Sequence, residues 1–297
     1  MKVLCVAFTL SVLIMLMYGF VMFVLYLFLG VLGLSVAYRV PVVNFYAKYM
    51  VFCTVLSLGS LFYIVEFCLR GRDYKNAWLI LISSINIRFR RFKKVFKLGG
   101  YLIGIKPVVK DAHFLTDKPC VFVANHQSMI DVASLVDVWP ERCTIISKSS
   151  MKYAGPIGFI TWLSKLIYID RRNHKDAVSI MKHTAKIAVA DQVSVYVFPE
   201  GTRSCTGKFL PFKKGAFHLA IECQFPIQPI VISPYTRFID FENKRFDSAT
   251  YYVQVLPPIS TVGLTTSDVE SLLAETREKM EACFEALKTT EVSSEDL

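Results

Sequence analysis

The chain's 297 residues suffice for one large domain with additions. They are 54% hydrophobic at a mean hydropathy of +0.43, more apolar than an ordinary soluble domain. The formal net charge of +10 belongs to residues 1–100, with 12 Lys/Arg against 2 Asp/Glu, while the rest holds 22 of each; a basic excess confined to apolar segments excludes a nucleic-acid-binding domain and points to lipid.

Val3 to Tyr38 carries no charged residue, and it exceeds the roughly 20 apolar residues that span a bilayer. Lys2, this run and Ser35-Val36-Ala37 outline a signal peptide, but the run is far longer than an apolar signal core of about 7–15 residues. A retained membrane segment is the stronger reading. A second run, Tyr49 to Leu69, carries only Glu66. Residues 1–70 therefore read as N-terminal membrane segments, joined by a short linker around Arg39 to Lys48. In residues 71–99, Trp78, Ile82, Ile85, Phe89, Phe92 and Phe96 recur at steps of three and four, with Arg88, Arg90, Arg91, Lys93, Lys94 and Lys97 among them. That spacing predicts a basic amphipathic helix in the headgroup plane, on the cytoplasmic side. A helix packed on its own domain with a solvated basic face gives the same pattern.

Residues 100–288 read as a globular domain, and 289–297 as a polar, acidic tail expected to be disordered. Strand-like runs are Cys120 to Ala124, Cys143 to Ser147, Leu166 to Ile169, Ser194 to Phe198, Ile227 to Ile232 and Tyr251 to Leu256. Helices are predicted over Met129 to Val138, Ile157 to Ser164, Asp176 to Ala190, Gly215 to Glu222 and Ser267 to Ala286, the last with Ser267 as N-cap and Glu270 as its capping-box partner. Alternating strands and helices predict an α/β domain with a mixed, largely parallel sheet flanked by helices and preceded by N-terminal membrane helices. The eight cysteines form no CxxC pair and supply neither a disulfide framework nor a zinc site.

Three strand ends carry reactive groups. His126 and Asp131 lie five positions apart, about 140° on a continuous helix, so one helix cannot pair them. With His126 after a strand and Asp131 in the next helix's first turn, the carboxylate can hold one imidazole nitrogen and leave the other as a base. Taken alone, the spacing also suits a helix-capping Asn125 or Ser128 beside an incidental histidine. The second candidate is Glu200-Gly201-Thr202-Arg203, after the apolar run ending in Phe198. Gly201 permits a tight turn, Arg203 offers a fork suited to phosphate, and Glu200 can fix Arg203 or contact a substrate hydroxyl; a surface turn with a solvated ion pair reads as well. The third is Asp170-Arg171-Arg172, at the carboxyl edge where ligands bind in open α/β sheets, with Lys148 ending another strand within reach. Plain solvation of strand ends accounts for Lys148 and Arg172 equally well.

Taken jointly, Asn125-His126 to Asp131, Ile169-Asp170-Arg171, Phe198-Pro199-Glu200-Gly201-Thr202-Arg203 and Pro226-Ile227-Gln228-Pro229-Ile230 match, in order, the four blocks of the glycerolipid acyltransferase family. The chain resembles the 1-acylglycerol-3-phosphate acyltransferases of that family from about Pro119 to Ala286, connecting text included. The resemblance implies His126 as general base with Asp131 as its orienter, and Glu200, Gly201, Thr202 and Arg203 with Arg171 on the acceptor and its phosphate. Pro229 and its neighbours would shape the acyl side, where Gln228 departs from the small apolar residue common in the family. It also implies lysophosphatidate and acyl-CoA as substrates, no metal and no cofactor beyond acyl-CoA as co-substrate. The bilayer is the implied partner and the endoplasmic reticulum membrane the implied location, with the domain facing the cytosol. Glycerol-3-phosphate or another lysophospholipid remains an alternative acceptor, and a non-catalytic anionic-lipid-binding protein an alternative class. The sequence sets no oligomeric state.

Overall fold

The structure, a computed structural model, describes residues 25, 26, 29, 30, 33, 40–74, 99–135, 137–169 and 174–289. The basic segment at 75–98, Arg171 and its neighbours at 170–173, most of the first apolar run and the tail from 290 lie outside the described residues.

The core is a seven-stranded sheet. Its strands in chain order are β1 (Ile105–Lys110), β2 (Val121–Ala124), β3 (Cys143–Lys148), β4 (Ile167–Ile169), β5 (Ser194–Val197), β6 (Ile227–Ile232) and, beyond the small hairpin β7 (Ile239–Asp240) and β8 (Arg245–Phe246), β9 (Ala249–Val255). Their spatial order is β1-β9-β6-β2-β5-β3-β4. Every neighbouring pair is parallel except β6 with β9, so the expected mixed, largely parallel sheet is what forms. The central strands β2, β5 and β6 are buried at every position, as expected when both faces are covered. Side chains alternate: Phe122, Ala124, Tyr196, Ile230 and Ile232 join one apolar cluster, and Val121, Val123, Val195, Val197 and Val231 the other.

Among the described residues, the helices that pack around the sheet are α1 (Pro41–Arg70), α2 (Asp131–Leu135), α3 (Gly155–Leu163), α4 (His174–Asp191), α5 (Gly215–Cys223) and α6 (Val269–Thr289). α1 and α2 cover the first face, and α4, α5 and α6 the second. In place of the linker expected around Arg39 to Lys48, residues 41–48 open α1, with Pro41 in its first turn, where a missing N–H costs nothing; Arg39 lies outside the described residues. Phe45, Val51 and Phe52 of α1 pack into the first cluster, and Lys48 Nζ donates to the Phe246 carbonyl at 2.9 Å. Pro41–Leu58 is the one stretch among the described residues long and apolar enough to cross a membrane.

Other departures have local causes. α2 is shorter than Met129 to Val138, because side chains capture the backbone before it and Pro140 disfavours helix just beyond it. α6 is entered through a 3-10 turn, Thr266–Asp268, and its capping box is Thr265 with Asp268 rather than Ser267 with Glu270; Glu270 pairs with Lys214. β1 was not expected. It contains Pro107, and it sits at the sheet edge, where a missing ladder donor is tolerated.

Candidate active site

β2, β5 and β6 are adjacent and parallel, so the loops leaving their carboxyl ends meet at one edge. The loop after β2 carries His126. His126 Nδ1 lies 2.6 Å from Asp131 Oδ2. The same carboxylate accepts the amides of Gln127 at 2.9 Å and Ser128 at 3.2 Å. Asp131 is 1% exposed, which makes a charged acceptor costly unless it is satisfied in this way. The carboxylate only accepts, so Nδ1 carries the proton and Nε2 keeps a free lone pair. The imidazole stacks on Phe198, with centroids 4.0 Å apart at 16°, and its side chain remains 19% exposed. The result is a fixed, partly exposed base.

Side-chain amides hold the loop from beneath. Asn125 exchanges two bonds with the Ile232 backbone, its Nδ2 donating to O at 2.9 Å and its Oδ1 accepting from N at 2.8 Å. Gln127 donates to the carbonyls of Ile232 and Ser233 and accepts the Tyr235 amide at 2.9 Å. Neither residue stood out in the sequence beyond its place in the motif. Ser128 Oγ is buried, 3.2 Å from Tyr49 OH of α1, and it accepts the Ile130 amide at 3.4 Å.

The loop after β5 grips the histidine's backbone. Glu200 Oε1 accepts the His126 amide at 2.7 Å and Oε2 accepts the Leu210 amide at 2.8 Å; Ser204 N donates to the His126 carbonyl at 2.9 Å. Glu200 was expected on Arg203 or on a substrate hydroxyl. At 3% exposed, it instead spends both oxygens on backbone. Burial raises its carboxyl above the ordinary value, with the His126 and Leu210 amides pulling the other way. Gly201 has φ +72°, a conformation that favours glycine; a Cβ there would stand 2.7 Å from Lys213 Nζ, the end of a flexible side chain that can move aside, so conformation rather than space selects glycine. Thr202 and Arg203 are exposed beside this turn. Arg203 is near enough to Cys205 to oppose the rise in its thiol, which burial and then Asp131 push up to about 12. Cys205 Sγ itself donates to the Gln127 carbonyl at 2.9 Å.

The other expected residues lie farther out. Lys148 ends β3 and is exposed, at the carboxyl edge but two strands from β2. Gln228, the departure in the fourth block, is buried in β6 and donates to the Leu256 carbonyl at 2.6 Å, so it serves the sheet. Arg171 lies outside the described residues. Behind the dyad, Tyr235 OH and Tyr251 OH both reach Ser134 Oγ, at 3.2 and 2.9 Å, in the buried core.

A cavity of about 880 Å³ opens between the sheet and helices α4 and α5. Ile146, Val197, Phe198, Phe212 and Leu219 line its apolar part, and Gly201 and Lys213 stand on its wall. Phe198 thus touches both the imidazole and the cavity. The site combines a base, an adjacent cationic turn and an apolar chamber.

Known proteins resemble this chain. A family model described as Acyltransferase matches residues 106–233. The 1-acyl-sn-glycerol-3-phosphate acyltransferase alpha of Homo sapiens is 38% identical over 246 residues, covering 82% of this chain and 81% of that protein. The beta enzyme of Homo sapiens is 37% identical over 252 residues, covering 83% of each. The crystal structure of the 1-acyl-sn-glycerophosphate (LPA) acyltransferase PlsC from Thermotoga maritima superposes with a TM-score of 0.53 at 18% identity, over 80% of this chain and 98% of that one; it shares the fold.

Proposed function

Because this chain belongs to the 1-acyl-sn-glycerol-3-phosphate acyltransferase family, we propose that it transfers a fatty acyl group from acyl-CoA to the sn-2 hydroxyl of lysophosphatidate, giving phosphatidate. The observation that carries the reading is the 2.6 Å contact between His126 Nδ1 and buried Asp131, which leaves Nε2 as the basic nitrogen of a partly exposed side chain. His126 Nε2 takes the proton of the hydroxyl as its oxygen attacks the thioester carbonyl. A tetrahedral oxyanion forms and collapses with loss of the CoA thiolate, which receives that proton from the imidazolium. Asp131 stabilises the imidazolium throughout and keeps its own charge.

An acyl-enzyme on Ser128 has no support, because that hydroxyl is buried between Tyr49 and the Ile130 amide. Arg203 and Thr202 on the exposed turn, with Lys148 and Arg171, supply the phosphate contacts, and Arg203 matches a phosphate's geometry bidentately. Gly201 lets the chain pass close, and Glu200 positions His126 rather than meeting substrate. The cavity beside Phe198 takes the acyl chain. The reaction needs no metal and no cofactor; acyl-CoA is the co-substrate. The protein works at the endoplasmic reticulum membrane with its domain toward the cytosol, a placement supported by the basic run from 88 to 97 and by α1.

Purified protein with labelled acyl-CoA and a panel of acceptors tests the reading. Lysophosphatidate is expected to be acylated with a far higher kcat/KM than glycerol-3-phosphate or lysophosphatidylcholine. Preference for either of those overturns the acceptor assignment, and no acyl-CoA consumption overturns the activity.

A further inference from the structure

Helix α3 and the 3-10 turn before it (Ser149–Tyr153) turn an aromatic face to solvent. Tyr153 is 87% exposed, Phe159 40% and Trp162 42%. Phe159 and Trp162, three residues apart, stack at 5.7 Å and 20° into a flat shelf. The apolar residues of an ordinary solvent-facing helix lie underneath; here large aromatics lie on top.

Cations surround the shelf. Arg72 lies over the Trp162 ring at 4.6 Å and its Nε donates to the Trp162 carbonyl at 3.2 Å. Lys152 and Lys165 lie over the rings of Tyr168 and Tyr74, at 5.0 and 4.6 Å. From Cys143 to Ile169 the chain has Lys148, Lys152 and Lys165 and no acidic residue at all. Asp73, beside the Leu163 carbonyl, and Asp191, which accepts the Tyr74 hydroxyl, are carboxylates at the edge of this group; aromatic rings with a surplus of basic neighbours still suit the level of phospholipid headgroups, where rings sit between water and acyl chains and cations meet anionic lipid.

The shelf adjoins the carboxyl end of α1. The Asp73 amide, just past the end of α1, donates to the Leu163 carbonyl at 3.0 Å, and α1 packs along α3. On α1, Val42, Tyr46 and Met50, at four-residue steps, form an exposed apolar stripe, and the span-length segment Pro41–Leu58 contains it. We propose that α3 and its preceding turn form a second bilayer contact, in which Tyr153, Phe159 and Trp162 enter the headgroup layer of an anionic membrane and seat the carboxyl edge of the sheet on it. The use of this contact rests on the acyl-transfer reading: a membrane-borne acceptor would reach Lys148, at the end of β3, without leaving the lipid surface. The contact itself is tested without that reading.

The full-length protein is reconstituted into phosphatidylcholine vesicles, with and without phosphatidylserine, that contain a photoactivatable phospholipid. Cross-linked peptides are mapped by mass spectrometry. Label is expected in 149–162 as well as in 1–70, stronger with phosphatidylserine and weaker at high salt. Tyr153→Ser with Phe159→Ser is expected to cut label in 149–162 about tenfold and leave 1–70 unchanged, with acyl transfer to vesicle-borne lysophosphatidate falling about as much and transfer to a short-chain, water-soluble acceptor unchanged. Label confined to 1–70 overturns the proposal. So do cross-links joining 149–162 of two copies without lipid label, which would make the shelf a protein interface. If the wild-type protein transfers no acyl group, the functional reading fails while the labelling of wild-type protein still decides the shelf.

Discussion

Replacing Glu200 with Ala removes the acceptor of two backbone amides, His126 N at 2.7 Å and Leu210 N at 2.8 Å, in a site only 3% exposed. Each amide left unsatisfied costs about 1–3 kcal/mol. Release of a buried carboxylate, whose charge the fold disfavours, offsets part of that. The net loss is about 2–3 kcal/mol, or roughly 4–12 °C in Tm for a domain of this size. His126 also loses one of its two backbone tethers and keeps the Ser204 contact alone. A misplacement of the base by about 1 Å lowers kcat by roughly 10²-fold, with the KM for lysophosphatidate nearly unchanged. Glu200→Gln keeps one acceptor and turns an amide group toward the other N–H, so about half the stability loss is expected. The pH dependence has a definite sign. The folded-state pKa of Glu200 lies above 4.5, so its stabilising contribution is complete below 4.5 and is lost as pH rises through the folded value. Glu200→Gln lacks this titration, so wild-type stability relative to that variant falls as pH rises from 4.5. Urea melts across pH with steady-state kinetics on both variants check the set. A Glu200→Ala protein of wild-type stability whose KM for the acceptor rises would refute the positioning role and return Glu200 to the substrate.

Asp131→Asn places its single carbonyl oxygen where Oδ2 meets His126 and Gln127 and turns its NH2 toward Ser128 N; the protein should fold, with kcat about 10²–10⁴-fold lower in the acyl-transfer assay. A kcat within a few-fold of wild type would remove Asp131 from the mechanism. Arg203→Ala should raise the KM for lysophosphatidate by about 10–100-fold, the range for losing a charged hydrogen bond, with kcat little changed; an unchanged KM would argue against phosphate contact. Cys205, with its thiol pushed up to about 12, is about 10⁻⁴ thiolate at pH 8. Peptide mapping after iodoacetamide treatment should find it alkylated far more slowly than a free thiol in solution, and rapid modification would contradict its raised thiol and its part-buried bond to Gln127.

Much of the sheet was legible because central strands in a largely parallel sheet are short apolar runs bounded by turn residues. Ile227 to Ile232 is a strand with the expected ends, and the base and its carboxylate were identifiable because a strand end followed by a helix start brings positions five apart together. Glu200 was visible as a functional residue but not as a brace, because its partners are backbone amides and one of them belongs to a residue 74 positions away. Hydropathy marked α1 as apolar, yet it cannot separate a bilayer from a protein core, and Phe45, Val51 and Phe52 turn toward the core. The same blindness concealed Tyr49, whose hydroxyl reaches Ser128 from that helix. β1 escaped because Pro107 argues against a strand in every position but an edge, and the edge is a property of the finished sheet.

The whole mechanism depends on His126 acting as the base of the acyl transfer. Turnover of labelled acyl-CoA with lysophosphatidate by purified His126→Ala, beside wild-type protein of matched thermal stability, tests it most directly. Loss of the base is expected to lower kcat by about 10²–10⁴-fold with KM values little changed. A folded His126→Ala enzyme that turns over at the wild-type rate would contradict it.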